Sequence, residues 1–164
     1  MIRISKKGDY AVFVLGYLAQ RGAFQSGSDN PRPLCSAHEI SESTSLQHAI
    51  VANLLKDMTR AGLLESVRGT HGGYRLARAP EQITLAQILH VFEGPFSLVD
   101  CTQHVVPGEN TEQQCRLEGF CPSRSPMRML HTRIQKLMDE ITLPELCGKS
   151  SAPTGLLQSS PAKK

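Results

Sequence analysis

The apolar residues of this 164-residue chain change period once, and that change limits the fold more than any other feature. Val51, Leu54, Leu55 and Met58 recur at i, i+3, i+4 and i+7, which gives a helix one apolar face, and Gly62 stops it. Directly afterwards, LLESV, RGTHGG and YRLA predict two short strands joined by a glycine-rich loop. Upstream, Ser36-Ala-His-Glu39 is a capping box, in which hydroxyl and carboxylate satisfy each other's orphan amides, and it opens a short helix through Ile40. Thr44-Ser-Leu-Gln47 has the same form and is expected to open the longer helix. Before both, Asp9 to Gln20 is almost uniformly apolar and predicts a helix buried on most sides. Residues 21–33, rich in Gly, Ser, Asn and Pro, predict an exposed loop.

Helix, short helix, longer helix, hairpin is the order of a winged helix-turn-helix. The expected fold is therefore mainly α with a small β-hairpin wing, and residues 1–80 form the expected DNA-binding domain. The third helix of such a unit fits the major groove, with its first turns toward the bases. The side chains expected to face outward there are Ser45, Gln47, His48, Ala49, Ala52, Asn53 and Lys56. Gln47 and Asn53 can pair bidentately with adenine, and Lys56 can reach phosphate or guanine. In the wing, Arg68 and His71 flank glycines that allow close approach, and an arginine suits a narrow minor groove. Gln47, His48, Asn53, Lys56, Arg68 and His71 are the candidate DNA contacts. The competing reading makes them solvated polar residues used for protein contacts. Charge leans toward nucleic acid: residues 1–80 carry ten Lys/Arg against six acids, whereas residues 81–121 carry one against six.

The remainder predicts more helix. Thr84-x-x-Gln87 caps a segment striped by Leu85, Ile88, Leu89 and Phe92 and ended by Glu93-Gly-Pro95. Ser125-Pro126 offers an N-cap and a proline at the first helical position. From there Met127, Leu130, Ile134, Leu137 and Ile141 are spaced 3, 4, 3, 4, a heptad seam expected to pair with a twin in a homodimer, or else to pack on the chain's own core. Residues 81–147 are thus expected to hold a cysteine loop and a dimerisation helix, and 148–164 a disordered tail. No run reaches the eighteen or so apolar residues of a membrane span, and the basic start has no cleavage-site pattern, so a cytoplasmic protein without membrane association is expected.

Five cysteines is an odd number, and three of them, Cys101, Cys115 and Cys121, lie in one polar stretch containing glycine and proline. In a reducing compartment such clustering points to metal or redox chemistry instead of a disulfide framework. Thiolates are soft ligands suited to iron–sulfur clusters and to zinc. No CxxC pair is present, and Cys-x13-Cys-x5-Cys is not a usual zinc-finger spacing. Three reduced bystander thiols, or a zinc site, remain the alternatives. Cys35 precedes a helix cap and Cys147 follows the last helix, and both are expected to be incidental thiols.

SKKGDYAV, SAHEI, RAGLLESVRGTHGGYRLAR and TLAQILHVFEGP together resemble the IscR/NsrR-type winged-helix regulators. LVDC, CRLEGFCPSR and ITLPEL are most similar to the subgroup that regulates SUF-type iron–sulfur assembly genes. The resemblance runs from about residue 1 to residue 147. It implies a homodimer on a near-palindromic double-stranded operator, and the wing arginine, here Arg68, in the minor groove. It also implies a [2Fe-2S] or [4Fe-4S] cluster on Cys101, Cys115 and Cys121 that controls affinity. Two features depart from the family. The gap from Cys101 to Cys115 is longer than usual, and Arg124 stands where IscR-like members carry a histidine ligand. In some NsrR-like members an aspartate near the start of the partner's first helix completes the cluster. Asp9 matches that position, and His104 and Glu118 are the other candidates. The implied function is a repressor sensing iron–sulfur status. The alternatives are a nitric-oxide-responsive repressor or, from another class, an iron–sulfur electron carrier with no DNA role. Paired catalytic carboxylates, a nucleophile elbow and a phosphate loop are all missing from the sequence, so no enzyme is expected.

Overall fold

The structure is a computed structural model and describes residues 3–24, 33–99 and 119–148. Its elements run α1 (Lys6–Gln20), α2 (Ala37–Thr44), α3 (His48–Arg60), β1 (Leu64–Val67), β2 (Gly73–Leu76), a 3-10 turn (Pro80–Gln82), α4 (Leu85–Glu93), α5 (Arg124–Glu140) and α6 (Leu143–Leu146).

Helix α1 starts three residues earlier than its apolar run, because the Ser5 hydroxyl accepts from the Gly8 amide at 3.2 Å and caps it. It buries Ala11, Val14, Leu15, Gly16 and Leu18, and Tyr10, Val12, Tyr17 and Ala19 pack partly buried against the core. From Asp9 onward only a narrow stripe of Asp9, Phe13 and Gln20 is exposed, so the helix is covered on most sides, as its apolar run predicts. The first capping hydroxyl behaves as its sequence predicts: Ser36 accepts from the Glu39 amide at 3.1 Å. The second box does not form. Thr44 ends α2, nearly buried, and its hydroxyl donates to the Ile40 carbonyl at 2.6 Å. Ser45 then turns the chain with a positive φ of 55°, and Gln47 caps α3 without a side-chain bond. The tight turn between the two helices draws Thr44 inward and leaves its hydroxyl too far back to cap the next helix.

Helix α3 presents Val51, Leu54, Leu55 and Met58 to the core, as its periodicity predicts. The strands pair antiparallel with Leu64 opposite Leu76 and Glu65 opposite Arg75, whose side chains form a 2.9 Å ion pair. A short antiparallel bridge widens the wing's base. Cys35 N donates to the Tyr74 carbonyl at 3.0 Å, and Tyr74 N donates to the Cys35 carbonyl at 2.8 Å. Gly73 is needed there, since a Cβ would lie 2.8 Å from the Cys35 carbonyl oxygen. The architecture is mainly helical with a two-stranded antiparallel wing.

Among the described residues the second half of the chain packs back on this unit through α4 and α6, both against α1, and its own two ends are tied to each other. Thr84 and Thr142 form a bridge: Leu85 N donates to the Ile141 carbonyl at 2.9 Å and Leu143 N to the Ile83 carbonyl at 2.8 Å. On one side the Thr84–Gln87 box opens α4, as expected; on the other a Thr142–Glu145 box opens α6. Ile83, Ile88 and Leu143 are fully buried and join Leu15, Leu18, Ile40, Leu55, Met58 and Leu76 in one core. Of the expected α4 stripe, only Ile88 is fully buried. Helix α5 begins at Arg124 with Ser123 as its cap, not at Ser125, so Pro126 is its third residue. A proline is tolerated there because the first four amides of a helix have no acceptor within it. No residue of α5 is buried, and Leu130 and Leu137 of the seam are 41 % and 50 % exposed.

Cys147 is not a bystander to the packing. An ideal Cβ at Gly16 would sit 2.6 Å from its sulfur and 3.9 Å from its Cβ, so the glycine admits the thiol between α6 and α1. Gly16→Ala is expected to destabilise by about 1–2 kcal/mol through overpacking. Adding Cys147→Ala removes the clashing atom and should recover most of that loss, as read by a double-mutant cycle in urea.

Candidate functional site

The candidate DNA contacts all reach solvent. Gln47 and His48 open α3, and Asn53 and Lys56 continue outward along it. Ala49, Asn53, Lys56 and Arg60 are spaced 4, 3, 4, so they form one stripe opposite the buried Val51, Leu54, Leu55 and Met58. Ala52 is half-buried beside that stripe, and Arg60, not among the expected contacts, extends it. Arg68 and His71 are exposed in the turn of the wing, where Gly72 N donates to the Gly69 carbonyl at 3.0 Å. A Cβ at Gly72 would collide with the Val67 carbonyl, so this turn keeps its shape only with glycine. Arg75 is tied to Glu65, whereas Arg68 has no ion-pair partner among the described residues.

A polar node sets this face against α1. Glu39 of α2 accepts from Tyr17 Oη at 3.1 Å and from Arg21 Nη2 at 2.9 Å, and Ser43 Oγ donates to Tyr17 Oη at 3.0 Å. Cys35, fully buried beside it, also bonds the Arg21 guanidinium. Burial, and then the Glu39 charge, push the Cys35 thiol up, so it stays protonated and is a poor metal ligand. Sequence reasoning did not find this node. Its members are spread from residue 17 to residue 43, and no local spacing announces it.

Of the three clustered cysteines the structure describes Cys121; Cys101 and Cys115 lie outside the described residues, as do His104 and Glu118. The Cys121 thiol is free and half-exposed in the turn before α5, in an open hollow of about 440 Å³ that Phe120, Arg124 and Arg128 also line. A 17-residue helix directs its N-terminus there, and the guanidinium groups add positive charge. A thiolate-bound anionic cluster suits such surroundings, so this part of the donor set fits an iron–sulfur group. Asp9 is exposed in the first turn of α1. Among the described residues no three His, Cys, Asp or Glu side chains converge on a metal position.

The profile of the Rrf2 family, described as "Iron-dependent Transcriptional regulator", matches residues 4–149. The chain belongs to the Rrf2 family. It is 25% identical to the HTH-type transcriptional regulator NsrR of Bacillus licheniformis, over 88% of this chain and 92% of that one. It is 27% identical to the regulator IscR of Aliivibrio salmonicida, over 88% and 77%. The solved structure of CymR, the global cysteine regulator of B. subtilis, superposes with a TM-score of 0.63 at 25% identity, covering 92% of this chain and all of that one. This Rrf2 protein is a DNA-binding transcriptional regulator, not an enzyme. Among the described residues no helix is long and apolar enough to cross a membrane.

For an Rrf2 regulator the exposed cations carry a quantitative expectation. Lys56→Ala should weaken operator and random DNA alike. It should also flatten the slope of log K against log [salt] by about 0.9 for each phosphate that is no longer neutralised. Arg68→Ala, if the side chain reads groove width, should cost more on an A-tract operator than on a mixed sequence. Salt-titrated fluorescence anisotropy measures both.

Proposed function

We propose that this Rrf2 protein is a dimeric repressor that senses iron–sulfur status and controls iron–sulfur assembly genes. In this reading residues 1–80 read DNA, and residues 81–147 carry the sensory loop and the dimer helix. Cys101, Cys115 and Cys121 would hold the cluster, with Asp9 of the partner subunit as first candidate for the fourth ligand. Such a group supplies a link between thiolates that oxidants, nitric oxide or iron shortage can undo.

The observation that carries the reading is the position of Cys121: a half-exposed thiol in the turn that starts α5, the helix whose apolar seam is uncovered in the single chain. Met127, Leu130, Ile134 and Leu137 would pack on their counterparts. Gln47, His48, Asn53 and Lys56 would then enter successive major grooves, with Arg68 and His71 along the minor groove. Because α5 packs on α4 and α4 on α1, a shift at Cys121 has a contiguous path to the helices that seat α3.

Absorption spectra of protein purified without air, iron and sulfide analysis, and operator binding by holo and apo forms test the reading together. Brown or red protein with unequal affinities supports it; equal affinities end the sensing role, and a colourless preparation ends the cluster. The similarity to NsrR favours a second reading, in which nitric oxide is the signal. Titrating nitric oxide and oxygen separately against DNA release decides between them.

A further inference from the structure

We propose that α3 reads an A·T core in the operator, with Ala49 packed on a thymine methyl and the carboxamides of Gln47 and Asn53 on adenine. The proposal rests on α3 as the reading helix and not on the cluster. Within α3 only His48, Ala49, Asn53, Lys56 and Arg60 are exposed, and Gln47 is exposed just before it. The N-terminal turns of such a helix are the ones that reach base edges.

The chemistry of those turns selects the base. Gln47 stands at the N-cap without spending its side chain there, and neither its carboxamide nor that of Asn53 is engaged among the described residues. A carboxamide donates and accepts at once, which matches N6 and N7 of adenine. Ala49 lies one turn before Asn53, about 6 Å along the axis, and offers only a methyl group, the partner that suits the C5 methyl of thymine. His48 has ring nitrogens for N7, which both purines present.

The groups that G·C needs are absent from these turns. Guanine is read by arginine or lysine, and cytosine by a carboxylate. Lys56 stands about 10 Å beyond Ala49 and Arg60 about 16 Å beyond it, in the last two turns. Asp57, the one carboxylate on α3, is half-buried, with Arg60 Nη1 at 4.0 Å. The wing points to the same composition by a separate route. Arg68 is exposed with no ion-pair partner among the described residues, and a guanidinium of that kind suits the narrow minor groove of A·T tracts.

The full chain first selects its sites from a random duplex pool, and the best duplex then serves as the anisotropy probe. A·T pairs should dominate the positions that α3 protects. Replacing one protected thymine by deoxyuridine, which lacks only the methyl, should weaken the parent about fourfold, the worth of one buried methyl group. Ala49→Gly should bind the two duplexes equally. Replacing a protected adenine by 7-deazaadenine, which lacks N7, should cost the parent about tenfold and Asn53→Ala nothing. Each comparison sets two DNAs against one protein, so any loss of helix stability in a variant cancels. G·C pairs at the protected positions, a parent indifferent to deoxyuridine, or an undiminished deoxyuridine penalty in Ala49→Gly overturns the proposal. Lys56→Ala then tells the two failures apart. If it weakens every duplex, α3 lies on DNA and the base assignment alone is wrong; if it weakens none, α3 is not the reading helix.

Discussion

Cys121→Ala protein, isolated without air, is expected to be colourless and to contain iron well below one atom per chain, whereas the parent absorbs in the visible. Its far-ultraviolet circular dichroism and melting temperature should stay close to those of the apo parent. The side chain projects from a turn outside the core, and surface changes of that kind usually stay within about 0.5 kcal/mol. Cys35→Ala provides the contrast. That thiol is fully buried, bonded to Arg21 and kept protonated by its surroundings, so its loss should spare the colour and cost about 1 kcal/mol of stability. If Cys121→Ala retains the full visible spectrum, the ligand set proposed above is wrong. Operator affinity of the colourless variant should equal that of apo parent protein, which separates loss of the cofactor from damage to the reading head.

The other large effect is on folding. Leu55→Ala should lower the free energy of unfolding by about 2–5 kcal/mol, a substantial share of the ~5–15 kcal/mol that a domain possesses. Leu55 is fully buried on the inner face of α3, in the same core as Leu15, Ile40 and Leu76. The neighbouring Lys56 is exposed, and Lys56→Ala should leave stability nearly unchanged while weakening DNA binding. Two adjacent substitutions thus give opposite phenotypes, one in urea denaturation and one in anisotropy. A loss below about 1 kcal/mol for Leu55→Ala would mean that α3 is not seated as described.

How far the sequence disclosed this molecule depended on the range of the interactions involved. The inner face of α3, the two strands and the Thr84–Gln87 box are local patterns, and the structure holds them where periodicity and capping chemistry put them. The Thr44–Gln47 box has the same local form and fails, because the turn between α2 and α3 recruits Thr44 for the core. Helix α5 starts two residues before the place its proline suggests, for a related reason: proline is tolerated anywhere among the first amides, so it marks a helix start only loosely. The Tyr17–Arg21–Glu39–Ser43 node and the fit of Cys147 against Gly16 depend on residues brought together by tertiary packing. No spacing rule reaches them. Of the cysteine site, residue type and clustering were legible, and the placement of Cys121 at the positive end of α5 needed the structure.

The bridge between Thr84 and Thr142 bears on how such a regulator can diversify. Two main-chain hydrogen bonds pinch the polypeptide there, so whatever is inserted between those threonines starts and finishes at a fixed doorway. Doubling the length of a tethered loop costs only about 0.6 kcal/mol. Evolution can therefore lengthen or shorten the stretch between α4 and α5, the wide interval from Cys101 to Cys115 included, while the packing of α4 and α6 on α1 stays in place.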